Sequence, residues 1–482
     1  MNRLSYGLHS FLITLVLFCF GGVLMAPRGV GFPALPLPRI AIILLLVVIV
    51  VYIIVNGWRF KLEAKHTYAM CIISIFGYFL SAAISAENLR GIAWVFQFAV
   101  AYIGAGMAFL LVAADPGIST RIYRGLRLIA ISLAIWSVFE YVTQTKVFFS
   151  RNLYDMAGAA YSINIRRLTL DGSATLFSSL GPFANNLPFA GVLCALGGVV
   201  VVGAQNRLFS LFPGSALLVF SIMATQSRAG VAALFLMVVT MVFLLKTYSQ
   251  KFLVICGALF GVLVFLFVHG PEIALVSIFG DNVRPLAGLY AAAVVLSLSW
   301  GGGYMVKSRY FTPVSLLMCV VGIGVLAVAG TPEGGDAGSA GGRLQGIKLL
   351  LSEPSVLLFG AGPGSFFDSE NVLTDVLIFS DQGSLFSFIG EAGLLAGGAL
   401  FLMVVRCVKI GMTSPDIHVQ ALVIGLVGVF FTTLITTAPD AWVLIVVLCG
   451  LIESWSRPRC SVGRDRAPLT PCSSEKPSKK DD

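Results

Sequence analysis

Apolar residues run through this chain in unbroken blocks separated by short polar punctuation. The blocks are Leu12–Leu24, Ile40–Val55, Ala69–Ile84, Ile92–Ala113, Leu128–Val142, Leu187–Val202, Leu211–Met223, Val231–Leu245, Phe252–Val268, Pro285–Leu298, Val314–Val328, Leu385–Val405, Val419–Leu434 and Ala441–Ile452. They lack the period-2 alternation that a transmembrane β-barrel needs. At such lengths only helices satisfy their own backbone inside lipid. Several blocks fall short of the ~20 residues a span needs, so flanking polar residues must complete them. The pattern predicts an all-α polytopic membrane protein with about 12–14 transmembrane helices.

The polar punctuation divides the chain into six parts. Residues 1–142 hold the N-terminal helices, 143–182 an extra-membrane segment and 183–329 the central helices. Residues 330–383 form a large loop, 384–455 the C-terminal helices, and 456–482 a polar, Pro/Ser-rich tail that reads as disordered. The first apolar block has Arg3 ahead of it but only "GGVLMAPRG" behind it, with no A-x-A-like cleavage site, so it reads as a membrane helix.

Composition agrees with the bilayer. Hydrophobic residues make up 57% of the 482 positions and charged residues 11%, against about 25% charged in a soluble domain. Mean hydropathy is +0.93.

Charge adds an orientation. With the N-terminus inside and the spans alternating, the inner loops hold Arg3, Arg59, Lys61, Lys65, Arg121, Arg124, Arg127, Arg207, Lys246, Lys251, Lys307, Arg309, Arg406, Lys409 and the basic tail. The short outer loops hold only Arg28, Arg39, Arg90, Arg228 and Arg284. This is the positive-inside pattern, and long outer segments do not count against it. The net charge of +9 is then mostly topology, a cytoplasmic basic face against anionic lipid.

Much chemistry is unsupported. The nine cysteines are scattered and none lies in the long outer segments, so no disulfide framework is implied. His9, His66, His269 and His418 are isolated and no metal-ligand spacing occurs. There is no P-loop, and no Gly-rich strand–helix fingerprint, to hold a nucleotide. No cofactor is expected.

Three outer stretches remain. "SLGPFANNLPFAGVL", Ser179–Leu193, leads into a helix. Its Asn185 and Asn186 suit a helix cap; the alternative is amides and a helix N-terminus facing an anionic or sugar ligand. "ATQSRAGVAAL", Ala224–Leu234, puts Arg228 in a tight turn between apolar runs. Such an arginine either snorkels to the interface or lines a polar cavity.

The third is "GTPEGGDAGSAGGRLQGIKLLLSEPSVLLFGAGPGSF", ending at Phe366. Glycines precede Arg343, Leu344–Leu358 reads as a short amphipathic helix interrupted by Pro354, and "GAGPGSF" makes a sharp turn. Loops this long are functional or disordered, and its alternation of apolar runs with turn signals favours a folded lid. Asp381 and Gln382 then stand near the membrane boundary, and Glu391 lies one or two turns inside the following helix.

In this order, "GPFANN", "TQSRAG", "GGRLQGIKLLLSEPSVLLFGAGPGSF" and "LFSFIGEAGLLAG" resemble the O-antigen ligase/polymerase superfamily of bacterial envelope proteins, which includes Wzy-type and exopolysaccharide polymerases. The likeness covers about Leu176–Phe401. It implies a GT-C-like membrane glycosyltransferase in the bacterial cytoplasmic (inner) membrane, working at the periplasmic face. Its substrate would be an oligosaccharide on undecaprenyl pyrophosphate, and its partners a flippase and a chain-length regulator. The resemblance assigns Arg228 and Arg343 to the pyrophosphate, with Asn185, Asn186 and Gln382 as further substrate contacts.

Ligases of this superfamily carry a His-Asn pair where this chain has Asp381-Gln382. The departure favours a polymerase, with Asp381 as the base toward a sugar hydroxyl. Glu391 is the reserve catalytic candidate, or else a structural partner for Arg228 or Arg343. The alternatives are an O-antigen ligase acting on lipid A-core in lipopolysaccharide synthesis, and, from another class, a lipid-linked glycan flippase. The flippase lacks the internal repeats and in-span charges expected of a transporter.

Overall fold

In the computed structural model of the chain, the described residues are 3–26, 31–32, 35–56, 62–84, 92, 95–145, 165–167, 175–177, 179, 181–183, 186–203, 210–269, 354–362, 384–435 and 439–456. The predicted spans Pro285–Leu298 and Val314–Val328, the loop residues Gly330–Glu353 and the tail from Arg457 lie outside them.

Every predicted span that falls on described residues is helical. The helices are α1 (Arg3–Met25), α2 (Leu37–Val55), α3 (Lys65–Ile84), α4 (Gly104–Ala113), α5 (Ser119–Thr143), α6 (Asn186–Val201), α7 (Leu211–Ala224), α8 (Arg228–Leu244), α9 (Tyr248–His269), α10 (Pro354–Phe359), α11 (Ser384–Thr413), α12 (Ile417–Ile435) and α13 (Pro439–Trp455). A π-helical run, Phe96–Ile103, leads directly into α4. Two short antiparallel ribbons complete the list: β1 (Gly31–Phe32) with β2 (Leu35–Pro36), and β3 (Ile165–Arg167) with β4 (Thr175–Phe177). Among the described residues, six helical segments are long and apolar enough to cross a membrane, and six shorter apolar helices of 10–17 residues pack among them. The chain is a mostly helical membrane protein.

The core is helix-in-helix. From Ala441 to Cys449 every residue of α13 is at most 1% exposed. It packs against α4, α6, α11 and α12. At the periphery, α2 turns Ile43, Leu44, Val47, Val50 and Ile54 outward, and α9 does the same with Phe252, Leu259, Leu263 and Phe267. Exposed apolar faces of this size on spanning helices belong against lipid tails.

Lipid gives helices no hydrophobic reason to pair, so close backbone approach takes over. The α6–α12 pair shows how. A Cβ on Gly198 would overlap the carbonyl oxygen of Ala421, and one on Gly425 would overlap that of Ala195. Small residues three and four apart on both helices make one flush seam.

Contacts sort the helix ends into two groups. At one end, Glu453 late in α13 accepts from the N–H groups of His66 (3.1 Å) and Thr67 (2.9 Å) and from the Thr67 hydroxyl (2.9 Å) at the start of α3. Tyr123 in the first turns of α5 donates to Val202 O just beyond α6 (2.8 Å). Arg121 donates to Ser10 and Thr14 in the early turns of α1. Lys65, Arg121, Arg124, Arg127, Arg406 and Lys409 fall at this basic end, as the charge pattern predicts. The opposite end gathers the end of α5, the start of α6, the end of α7 and the start of α8. It also takes the end of α9, where Phe265 stacks on Tyr141 (4.9 Å between centroids). The start of α11 lies at this end too, beside Ser81 late in α3. The chain leaving α9 therefore returns, by residue 384, to the end it left.

Candidate functional site

The turn between α7 and α8 sits at the end opposite the basic one, and its residue types explain its shape. Thr225 closes α7 by donating its hydroxyl to Ile222 O (2.7 Å). Gln226 takes a left-handed conformation, φ 53°. Ser227 is extended and its Oγ accepts from Gly230 N (3.1 Å), an N-cap for α8. Arg228 is therefore the first residue of α8. Thr225, Gln226 and Ser227 are each at most 1% exposed. Among the described residues, neither Oε1 nor Nε2 of Gln226 has a hydrogen-bond partner.

A second strand of chain is laced to this turn. Ser179 N donates to Ala224 O (2.9 Å), the last residue of α7. Ser179 Oγ (3.1 Å) and Gly181 N (2.9 Å) both donate to Glu140 Oε2 in α5. Trp136 Nε1, one helical turn earlier, donates to Glu140 Oε1 (3.0 Å). Glu140 is 1% exposed, and it is the buried carboxylate on which the "SLGPF" segment hangs. Sequence reasoning missed it. The signal was there: one glutamate inside the apolar run Leu128–Val142, with an indole four residues before it.

Glu140→Ala is expected to leave three donors without their acceptor, two of them buried and one, Trp136, half-buried. Hydrogen bonds to a charged group contribute roughly 1.5–3 kcal/mol each, so a loss of about 3 kcal/mol or more is anticipated. Thermal unfolding of the detergent-solubilised protein measures it. A variant as stable as the parent would show that the segment is held by something else.

The first turns of α6 and α8 touch. A Cβ on Gly230 would come within 2.8 Å of Ala190 Cβ, and Cys194 Sγ approaches Gly230 O at 4.0 Å. Two helix N-termini thus lie side by side at one end of the bundle. Each carries the equivalent of about half a positive charge. The backbones of Asn186 and Arg228 open these two helices; their side chains, like Asn185, Arg343, Asp381 and Gln382, are outside the described residues.

Glu391 belongs to a separate cluster. The run Leu385–Val405 is expected as one span, but α11 is broken at Gly393 (φ 77°, ψ 175°). The break frees backbone carbonyls, and neighbours answer them. Ala361 N donates to Gly390 O (2.7 Å), while Gly362 N (3.1 Å) and Ser81 Oγ (2.5 Å) donate to Glu391 O. Irregular backbone at such a depth persists only where protein satisfies it in this way. Two of the three donors come from the turn after α10, where Gly360 (φ 81°) ends the helix, and the third from α3. Among the described residues α10 begins at Pro354, a position where its missing N–H is no loss. The Glu391 side chain is 5% exposed and within electrostatic reach of Tyr78.

No protein-family model matches the chain, and no curated protein is significantly similar to it.

Proposed function

We propose that this protein is a membrane glycosyltransferase that polymerises undecaprenyl-pyrophosphate-linked oligosaccharide repeat units, in O-antigen or exopolysaccharide biosynthesis. The observation that carries this reading is the meeting of two helix N-termini, one of them opened by Arg228, at the end of the bundle away from the basic residues. By the positive-inside rule that end is periplasmic. Paired helix N-termini and an arginine make a receptor for a phosphate-bearing headgroup. The motif order that resembles the O-antigen ligase/polymerase superfamily supplies the glycan.

In this reading Arg228 and Arg343 grip the pyrophosphate with bidentate, charge-assisted hydrogen bonds. Asn185, Asn186 and Gln382 line the approach. The acceptor is a free hydroxyl on a second lipid-linked unit. Its oxygen bonds to the anomeric carbon of the donor as the anomeric C–O bond to phosphate breaks. The bonding pair leaves with undecaprenyl pyrophosphate, whose added negative charge the guanidinium groups stabilise. The hydroxyl proton passes to Asp381, with Glu391 in reserve. Glu140 touches no reacting atom; it holds the 179–181 segment beside the turn.

The test uses purified protein and undecaprenyl-pyrophosphate repeat units alone, without nucleotide and in EDTA. A polymerase is expected to produce a ladder of longer lipid-linked glycans. A ligase would leave the units unchanged until lipid A-core is added, then transfer once. A flippase would alter only the leaflet in which they are found. Either of the last two results would overturn the polymerase reading.

A further inference from the structure

The cost of the Gln226 amide has no return among the described residues. The residue is 0% exposed, and among the described residues neither its oxygen nor its nitrogen is hydrogen-bonded. Burying such a group unpaired costs about 1–3 kcal/mol on mutational scales. It also holds a left-handed backbone, φ 53°, a conformation uncommon for residues other than glycine. The neighbours show how tightly the turn is otherwise satisfied. Thr225 and Ser227 both use their hydroxyls on backbone groups, and Ser179 ties the turn to Glu140. A methionine would fill the same volume with nothing to leave unpaired.

The chemistry of the unpaired group narrows what it would meet. A carboxamide offers two N–H donors and one carbonyl acceptor. A phosphate accepts only, so it would satisfy the nitrogen and leave the oxygen orphaned. A sugar hydroxyl or an acetamido group both donates and accepts. The amide lies two residues before Arg228, at the joined N-termini of α6 and α8. A group placed there meets the sugar next to the phosphates, not the far end of the glycan.

We infer that Gln226 reads the first sugar of the lipid-linked substrate, pairing both faces of its amide with a hydroxyl or acetamido group adjoining the pyrophosphate. This rests on the lipid-linked-glycan reading of the site. It assigns to the turn a specificity role separate from charge recognition. The same substitution should therefore have opposite effects on stability and on selectivity, a pattern familiar where a binding group is held unpaired until its ligand arrives.

The experiment compares wild type, Gln226→Met and Gln226→Asn in detergent. The probes are undecaprenyl pyrophosphate and undecaprenyl-pyrophosphoryl-N-acetylglucosamine. Binding is followed by microscale thermophoresis and stability by thermal unfolding. Wild type should bind the glycosylated lipid more tightly. Gln226→Met should melt at the same or a higher temperature, bind undecaprenyl pyrophosphate unchanged, and lose about tenfold for the glycosylated lipid, or ~1.4 kcal/mol. Gln226→Asn, which tolerates the left-handed backbone but reaches less far, should fall between them. Equal binding of both lipids by wild type, or unchanged preference in both variants, overturns the inference while leaving pyrophosphate recognition standing. Wild type that binds neither lipid overturns the functional reading and this inference with it. If Gln226→Met fails to fold, the amide is structural and the inference also fails.

Discussion

Gly425→Val is expected to stop this protein from assembling. The substituted Cβ would overlap the backbone oxygen of Ala195 on α6, and a carbonyl in a helix cannot swing aside as a side-chain end can. The α6–α12 seam would have to open along its length. Overpacking a flexible site costs about 1–3 kcal/mol; a rigid one at the centre of the bundle should exceed that. The companion Gly104→Ala is the control, because a Cβ there meets nothing within 4 Å, and alanine favours a helix over glycine by ~1 kcal/mol. Fluorescence-detected size exclusion after membrane extraction reads both. A monodisperse, normally melting Gly425→Val protein would show that the seam is not closed as described.

Arg228→Ala carries the largest expected effect on activity. Bidentate contacts from a guanidinium to phosphate oxygens are charge-assisted and stronger than neutral ones. Their loss should reduce glycan assembly about 100-fold or more, ~2.7 kcal/mol, with the protein inserted at normal levels. Arg228→Lys keeps the charge but not the planar fork, so a smaller but clear loss is expected. The same pair of changes at Arg343 should behave alike. Near-normal assembly in both alanine variants would remove the pyrophosphate mechanism. Asp381→Asn in the same assay tests the base, and full activity would turn attention to Glu391.

The spans were legible because lipid imposes one rule on every residue. Leu211–Met223 and Ala441–Ile452 are short blocks, yet each is the apolar heart of a helix, α7 and α13. The turn at Ala224–Ser227 was legible as well, since Thr, Gln and Ser interrupt two apolar runs and the Thr225 and Ser227 hydroxyls serve nearby backbone. Pairing across the chain was not. Gly191, Gly198, Gly425 and Gly428 show small-residue spacing in sequence, but nothing local says that α6 meets α12 across more than 200 residues. Glu140 and Glu453 were missed for the same reason. Glu140 lies inside an apolar run and Glu453 just after one, and apart from Trp136, one turn before Glu140, the donors they serve lie 39 to 387 positions away. The break at Gly393 depends on Ala361 and Gly362, about thirty residues earlier, and on Ser81 in α3 for its hydrogen bonds, so the apolar run alone reads as continuous.

Glu453 also sets an order of events during synthesis. It accepts from Thr67, 386 residues upstream. At about 5–20 residues per second, the start of α3 waits roughly 20–80 s before its acceptor is made. Helix α13, which fills the centre among α4, α6, α11 and α12, is likewise threaded after all of them. The four helices around it are therefore all made before the helix that fills their centre, so the bundle reaches its described packing only once α13 takes a central place rather than a place at the rim.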